Sequence, residues 1–384
     1  MDQRDQPDQR RVGMADIVIG EPLKWDAYGE GNQLLLRKGQ IVANERQVEE
    51  LIARGLYVEA HHFYTSTSHE PEAKRESPSV LQLINTANRR LEKLLYGLQT
   101  EVDAHAKFLE IGSLLDDATN LDPDIALASI LLNQAQGHYA ARHGIDTAVL
   151  CLLVAKAMNK SAEEASLIVA AAFTMNLGML RQQDHLEDKT DALSEMERTI
   201  IQKHPQESVA LLQRAGIDDA TWLSYILLHH ENPDGSGYPL GRGVAEISQN
   251  ARILTFADRY CACVSNRKYH KTLLPNAALR GVFLVNGKPS DPMLAAYFIR
   301  EIGTYPPGSC VRLKNGEIGV VTRRGAAATP PTVHALIGPH GAPLSFPIQR
   351  DNTKDQFAIR EPMLHDQATQ RFSMQQMWGE TARL

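Results

Sequence analysis

The sequence predicts a mainly α-helical protein with a small α+β domain near its N-terminus and a short β-rich extension near its C-terminus. Residues 80–303 carry apolar side chains at helical spacing. A polar segment separates them from an earlier region in which glycines punctuate short apolar runs, and after Gly303 strand-length runs flank an Asn-Gly turn. These observations give five segments: a disordered tail (1–12), an α+β domain (13–64), a linker (65–79), a helical domain (80–303), and a β-hairpin extension with a polar tail (304–384).

The N-terminal domain is expected to contain strands and one helix. Apolar runs at residues 17–19 and 34–36 are typical of short strands. A helix is predicted from Asn44 through Arg54, and a strand follows at residues 55–58.

The helical domain is predicted to contain several strongly apolar helices. Ser194 to Glu197 forms a capping box that opens one helix, which should end near Lys203. His204-Pro205 is then expected to begin another. Further helices are predicted over residues 80–98, from 122, and over 143–158, 161–180, 247–265, 275–284 and 292–302.

The C-terminal region changes to a strand pattern. Residues 310–313 and 318–322 flank Asn315-Gly316, which predicts a hairpin. Residues 332–337 and 343–348 read as further strands, and the last residues are polar enough to be poorly ordered.

Composition narrows the classes of partner. The 384 residues carry a net charge of −6, which predicts no general attraction to nucleic acid or to an acidic membrane. The N-terminus is polar and unlike a signal peptide, and the most apolar window, residues 165–180, is shorter than a bilayer span. We therefore expect a cytoplasmic protein, with its four cysteines as reduced thiols.

The most informative stretch is residues 229–239. It combines the adjacent His229 and His230 with a carboxylate at Glu231 and a rigid Gly/Pro turn. Imidazoles beside a turn of this kind indicate a metal or phosphate site, because imidazole binds divalent metals and glycine permits close backbone approach to a ligand.

This stretch resembles the signature of HD-GYP proteins, the bacterial metal-dependent phosphodiesterases that open cyclic di-GMP. The resemblance extends over the helical region from about Leu98 to Gly303 and implies an HD-type helical bundle. It also implies that metal ligands come from several helices to one point. The matching positions are His143, His204, His229, His230 and Asp258.

The His-Asp pair of the family is missing. The resemblance places Met175 at the histidine, Asn176 at the aspartate and Met179 at the lysine three residues after that aspartate, and Gly178 is kept. In the family this aspartate bridges two metals. Asn176 lacks the charge for that role, and the thioether of Met175 is unsuited to hard cations. Tyr139 stands where some members carry a carboxylate for a third metal.

The resemblance also implies a nucleotide side to the pocket. The loop ending in Gly237, Tyr238 and Pro239 is rigid, and its tyrosine can stack on a guanine or donate to a phosphate. Arg267 matches a base that meets the ligand phosphates, whereas His270 replaces a second base. In the family the loop also contacts partner proteins, notably GGDEF-type cyclases.

Three interpretations follow. The first is a degenerate HD-GYP protein that acts as a cyclic di-GMP receptor or a protein-interaction module. The second is an active phosphodiesterase that yields pGpG or GMP, and the third is a structural regulator that binds neither metal nor nucleotide. For the cofactor we expect iron, manganese or zinc at reduced occupancy, and one metal held by some of the five matching residues is compatible with zinc coordination.

Overall fold

The computed structural model describes residues 9–11, 23, 25–29, 33–40, 42, 57–59, 79–133, 137–187, 189, 191–265, 272–285, 288–289, 291–325, 329–364 and 372–384. The chain divides into two compact units, Met1–Glu76 and Ser77–Leu384. The predicted strand at 17–19, the predicted helix at 44–54 and all but the last residue of the predicted linker lie outside the described residues.

The first unit contains an antiparallel sheet with strand order β1-β4-β2-β3. The strands are β1 (Gln9–Arg11), β2 (Ala27–Gly29), β3 (Gln33–Leu36) and β4 (Tyr57–Glu59). β3 confirms the strand predicted at residues 34–36. The prediction of a disordered tail over 1–12 is wrong at β1, because these polar residues pair with β4 through their main chain, and composition does not report such pairing.

The second unit is mainly α-helical, which confirms the predicted fold class. Its helical domain contains α1 (Val80–Gly97), α2 (Ala104–Leu121), α3 (Pro123–Leu132), α4 (Tyr139–Ala157), α5 (Ala162–Thr174), α6 (Leu180–Glu187), α7 (Glu195–Arg214), α8 (Ala220–Leu228), α9 (Gln249–Val264), α10 (Pro275–Phe283) and α11 (Pro292–Ile302). The two-residue strands β5 (Leu284–Val285) and β6 (Lys288–Pro289) pair between the last two helices.

The core of the helical domain forms around α4. Its residues from Tyr139 to Ala155 are almost all buried, because α1, α5 and α9 pack around it. Helix starts follow the sequence signals: Ser194 caps α7 in the predicted capping box, and Asp122 caps α3.

Two predicted helix boundaries are wrong. α7 runs without a break through Pro205, whereas the sequence predicted an end near Lys203. The helix predicted over 161–180 ends at Thr174, and a 3₁₀ turn follows at Leu177–Met179. In both places packing decides the outcome, because Pro205 is buried in α7 and the turn at Leu177–Met179 packs against the same helix. The proline itself removes only one helical hydrogen bond.

The C-terminal part is an antiparallel sheet with strand order β10-β9-β8-β7-β11. Its strands are β7 (Cys310–Leu313), β8 (Ile318–Arg323), β9 (Thr332–Ile337), β10 (Pro343–Arg350) and β11 (Ile359–Met363). The predicted Asn-Gly hairpin is confirmed as β7 and β8, with Gly316 at φ +93°.

The prediction of a poorly ordered tail is wrong for the described residues after 358. β11 completes the sheet, and α12 (Met374–Trp378) follows it. Met374 and Met377 are buried, and the Trp378 indole N–H donates to the Thr322 carbonyl at 2.9 Å. A few apolar side chains therefore order a segment that is polar on average.

No helix among the described residues is both long enough and apolar enough to cross a membrane.

Candidate metal and nucleotide site

Three imidazoles meet where α7 approaches the end of α8. His204 lies in α7, and His229 and His230 follow α8 directly. Each offers one ring nitrogen, and these atoms lie within 4.8 Å of one another. His204 and His229 are fully buried. Three of the five predicted ligands are therefore brought together.

Pro205 explains how the ring of His204 is oriented. A proline has no N–H, so Pro205 leaves the carbonyl of Ile201, four residues earlier, without its helical partner. The Nδ1 atom of His204 donates to this carbonyl at 2.6 Å. Since a carbonyl can only accept, Nδ1 carries the proton, and the Nε2 lone pair of the neutral ring points away from the helix.

His229 is oriented in a similar way. The last carbonyls of a helix have no helical donor, and the Nδ1 atom of His229 donates to the Ile226 carbonyl at 2.6 Å. The Nε2 atoms of His204 and His229 therefore face each other, 3.2 Å apart. Burial lowers the pKa of His204 to about 3, and it also lowers the pKa of His229 and of His230. Two neutral acceptors facing each other at this distance fit a cation between them.

The other two predicted ligands are hydrogen-bonded to each other, and Asp258 also lies close enough to the three imidazoles to interact with them electrostatically. The Nε2 atom of His143, on α4, lies 2.7 Å from the Oδ1 atom of Asp258, on α9. Burial alone would raise the pKa of Asp258, but the hydrogen bond and charge of His143 hold it below its usual range. Tyr139 stacks on the His143 ring at 5.4 Å. Each member of the pair is thus engaged by the other.

The substituted family positions lie in the turn after α5. Met175 is fully buried in the apolar core, and Met179 is also buried. The Oδ1 atom of Asn176 is buried and has no hydrogen-bond partner among the described residues. A buried polar atom in this state is uncommon, and it marks the position that the resemblance assigns to the bridging aspartate.

Gly178 and Ser208 hold this turn against α7. The Ser208 hydroxyl accepts from the Gly178 N–H at 2.8 Å and donates to the Met175 carbonyl at 2.8 Å. A Cβ atom at residue 178 would lie 2.6 Å from the His204 carbonyl oxygen, so only glycine permits this approach. The turn is therefore fixed beside the three imidazoles.

Sequence reasoning missed the role of Glu231. Its buried carboxylate accepts three main-chain N–H groups: from Leu240 at 2.6 Å, Gly241 at 3.1 Å and Arg242 at 2.9 Å. These bonds fasten the far end of the glycine-rich loop to the residue after the double histidine. An acidic residue directly before a glycine-rich turn was the available signal.

The loop places Tyr238 over the histidines. Its ring stacks on His230, with centroids 4.7 Å apart and planes at 28°. At Gly237 a Cβ atom would lie 2.4 Å from the Asn232 nitrogen, and the peptide between Tyr238 and Pro239 is cis. Burial raises the pKa of the Tyr238 hydroxyl, so it stays protonated as a hydrogen-bond donor at neutral pH. The predicted phosphate contacts Arg267 and His270 lie outside the described residues.

Arg259 is a second residue that the sequence did not single out. It follows Asp258 on α9, and its guanidinium donates to the Oδ1 atom of Asn232 at 2.7 Å. Asn232 in turn donates to Ser236 at 3.0 Å. A cation thus adjoins the loop through the side chain of Asn232.

Part of this chain is similar in sequence to known proteins. Residues 111–292 match the family model described as HD domain. A cyclic di-GMP phosphodiesterase of Pseudomonas aeruginosa is 30% identical over 199 residues, which cover 51% of this chain and 47% of that protein. A 3'3'-cGAMP-specific phosphodiesterase of Vibrio cholerae is 24% identical over 202 residues, with 51% and 47% coverage. An HDG"Y"P protein of Bdellovibrio bacteriovorus aligns at 14% identity over 76% of this chain and 98% of its own, with a TM-score of 0.45.

Residues 111–292 of the helical domain are therefore similar to an HD domain, and the two enzymes compared above are named as phosphodiesterases of cyclic dinucleotides. The chain spans about half the length of the curated relatives that it matches.

Proposed function

We propose that this chain is a cyclic di-GMP signalling protein of the HD-GYP family that has lost most or all hydrolysis. It acts as a cyclic di-GMP receptor or as a protein-interaction module. One observation carries this proposal: the position of the bridging aspartate holds Asn176, a neutral residue whose buried oxygen has no partner among the described residues.

The chemistry of phosphodiester hydrolysis supports the loss. A two-metal centre supplies hydroxide and clamps the phosphoryl oxygens, with its metals about 3.5–4 Å apart. The remaining residues offer three imidazoles and one hydrogen-bonded pair, His143 with Asp258, whose carboxylate interacts electrostatically with the imidazoles. Without a bridging carboxylate, these residues do not fit two cations. Met179 also removes the charge that the family lysine would present to a phosphate.

The loop supports retained ligand binding. Tyr238 is held by its stacking on His230, and Glu231 fixes the backbone behind it. An aromatic ring presented in this way can stack on a purine base, and base–aromatic stacking contributes about 1–3 kcal/mol per base. We infer that the same loop is the contact surface for signalling partners such as GGDEF-type proteins.

Calorimetric titration of the purified chain with cyclic di-GMP tests the receptor role. We expect saturable binding, and we expect Tyr238→Ala to weaken it about 10-fold or more, since the stacking surface is lost. Tyr297→Ala, on α11, is the matched control and should bind as the parent does. Titration with 3'3'-cGAMP compares the two nucleotides that the relatives' names suggest. If neither nucleotide binds the folded parent, the receptor role is refuted and the interaction module remains.

The alternative is an active phosphodiesterase, and the three imidazoles favour it. Their facing nitrogens fit a divalent cation, which could support hydrolysis if one metal is enough. Anaerobic incubation with cyclic di-GMP and iron or manganese, followed by chromatography, distinguishes the two proposals. We expect no pGpG or GMP. Product that disappears in His204→Ala would establish the enzyme.

Restoring the family residues provides the complementary test. The triple variant Met175→His, Asn176→Asp and Met179→Lys should bind more metal than the parent and gain some turnover. Because Met175 is fully buried among apolar residues, its folding should be checked by circular dichroism first. A folded triple variant with unchanged metal content would mean that the lost residues alone do not explain the missing hydrolysis.

A further inference from the structure

The C-terminal sheet, β7–β11, meets the helical domain at a group of charged side chains. Its own buried apolar residues form two clusters, which are distinct from the apolar cluster of the helical domain. We propose that the sheet and residues 372–384, the tail segment, form a conformational clamp on the starts of α1 and α3. An ion-pair network closes the clamp, and its opening releases both helix starts together while the sheet stays folded. This inference requires neither metal nor nucleotide, so it is independent of the proposed function.

The ion-pair network joins the end of β8 to α3 and α11. The Arg323 guanidinium lies 2.7 Å from the Asp122 carboxylate and 3.5 Å from that of Asp124. Arg324 donates to the Asp124 carboxylate at 2.6 Å, and to the carbonyl and the carboxylate of Glu301 at 2.6 Å and 3.2 Å. The three carboxylate side chains are only 11%, 12% and 18% exposed. Their charges are therefore largely removed from water and depend on the guanidiniums.

A network of this kind is suited to fix one docked position. The attraction within a buried ion pair is largely offset by the loss of hydration, so the pair adds little to stability, whereas loss of one partner leaves a buried charge unpaired. Without Arg324, Asp124 would keep only Arg323 at 3.5 Å. Since packed interfaces tend to have discrete arrangements, we expect this one to open as a whole.

The tail segment extends the clamp from the sheet to α1. The carbonyl of Thr322, directly before the network, accepts the Trp378 indole N–H at 2.9 Å. Trp378 packs against both the helical-domain cluster and one sheet cluster. Farther along the segment, the carbonyl of Arg383 accepts from the hydroxyl of Ser79, the residue that caps α1. The end of β8 is therefore connected to the first turn of α1.

The clamp holds α3 at the corresponding place. The Oδ1 atom of Asp122 caps α3 by accepting the N–H groups of Asp124 at 3.0 Å and Ile125 at 3.1 Å. The same carboxylate binds Arg323. Both α1 and α3 pack against α4, which carries His143. Opening of the clamp would therefore alter the helices that support the candidate site.

Hydrogen exchange of the full chain, followed by mass spectrometry, tests the clamp. Arg324→Gln should speed exchange at least about 10-fold at the start of α1 (82–86) and at the start of α3 (124–128), because Asp124 loses its closest cation. The strands β7–β9 should stay protected, since the sheet keeps its own apolar clusters. Faster exchange at α3 alone, or in the strands as well, would overturn the proposal.

A matched variant separates the network from the general loss of a surface charge. Arg312→Gln removes an ion pair with Glu361, 3.1 Å away, and both partners of that pair belong to the sheet. Exchange at the two helix starts should be unchanged in this variant. Arg324→Lys keeps the charge but not the planar fork, so it should give an intermediate rate. Equal effects of Arg312→Gln and Arg324→Gln would contradict the clamp.

Salt gives a test in the unmutated chain. Raising the ionic strength from about 0.1 M to about 1 M shortens the screening length from about 10 Å to about 3 Å. Because the Arg323 side chain is 49% exposed, exchange at both helix starts should become a few-fold faster, by the same factor. Different factors at the two places would show that they are not released together, and unchanged exchange at both would exclude closure by ion pairs.

Discussion

The Nε2 atom of His143 lies 2.7 Å from the Oδ1 atom of Asp258, and this contact joins α4 to α9 inside the helical domain. Both side chains are buried. In an HD-GYP protein the matching residues are expected at the metals. In this chain they hold each other, so they contribute to the cohesion of two core helices.

Replacing either member of this pair should reveal their coupling. We expect Asp258→Asn to lower the free energy of unfolding by about 2 kcal/mol, because hydrogen bonds to charged groups contribute about 1.5–3 kcal/mol. His143→Gln should cost a similar amount. In urea denaturation, the double variant should lose clearly less than the sum of the single losses. Strictly additive losses would mean that the contact does not stabilise the fold.

Asp146 should make stability depend on pH. Burial raises its pKa to about 8, although the charge of Arg142 acts in the opposite direction. The folded chain therefore holds a proton that the unfolded chain releases near pH 3.8, the ordinary pKa of an aspartate. Stability from this group is fully present below that value and is lost as pH rises toward about 8.

Asp146→Asn should remove this pH dependence. The variant should be more stable than the parent at pH 9 by a few kcal/mol, since each pKa unit corresponds to about 1.4 kcal/mol. The difference should shrink toward pH 4. Denaturant unfolding at several pH values measures it, and parallel curves for the two proteins would show that Asp146 does not titrate as expected.

Glu231 should control the order of the glycine-rich loop. Its carboxylate holds the N–H groups of Leu240, Gly241 and Arg242, so Glu231→Ala should expose these amides to exchange. We expect their hydrogen-exchange protection to fall at least 10-fold, which corresponds to about 1.4 kcal/mol. Asp234→Ala is the control, because the Asp234 carboxylate accepts from the N–H and the hydroxyl of Ser236 and not from these three amides. Unchanged exchange at these three amides would exclude the fastening role.

Pro205 should increase metal affinity and decrease the stability of α7. Pro205→Ala supplies an N–H that competes for the Ile201 carbonyl, so His204 loses its fixed orientation. Zinc affinity should fall about 10-fold, as when a supporting partner is removed. The zinc-free protein should become more stable, since alanine is the better helix former. Calorimetry and thermal unfolding measure the two effects, and unchanged zinc affinity would show that Ile201 does not orient the ring.

The sequence predicted the elements of the helical domain better than it predicted their ends. The Ser194 capping box and the Asn315-Gly316 turn are local signals, and the structure contains both. The uninterrupted α7 was not predictable from local rules. Its proline is compensated by a side-chain bond from His204 and by burial against the turn at Gly178, which depend on residues distant in sequence.

In the candidate site, too, the sequence predicted the residues better than their arrangement. The family resemblance identified His143, His204, His229, His230 and Asp258, and the structure describes all five. Spacing could not say that three of them bring their ring nitrogens together while His143 is hydrogen-bonded to Asp258, because that depends on how α4 meets α9. The part played by Glu231 was missed since its partners are main-chain groups, which carry no sequence identity of their own.

The buried Trp222 contacts the residue that precedes the substituted turn. Its indole N–H donates to the hydroxyl of Thr174 at 2.9 Å, one residue before Met175. The chain has only three tryptophans, and with Trp25 and Trp378 replaced by phenylalanine all remaining tryptophan emission would come from this place. The emission maximum and the fluorescence lifetime of Trp222 would therefore change with any rearrangement of the turn when a cation or a nucleotide is added.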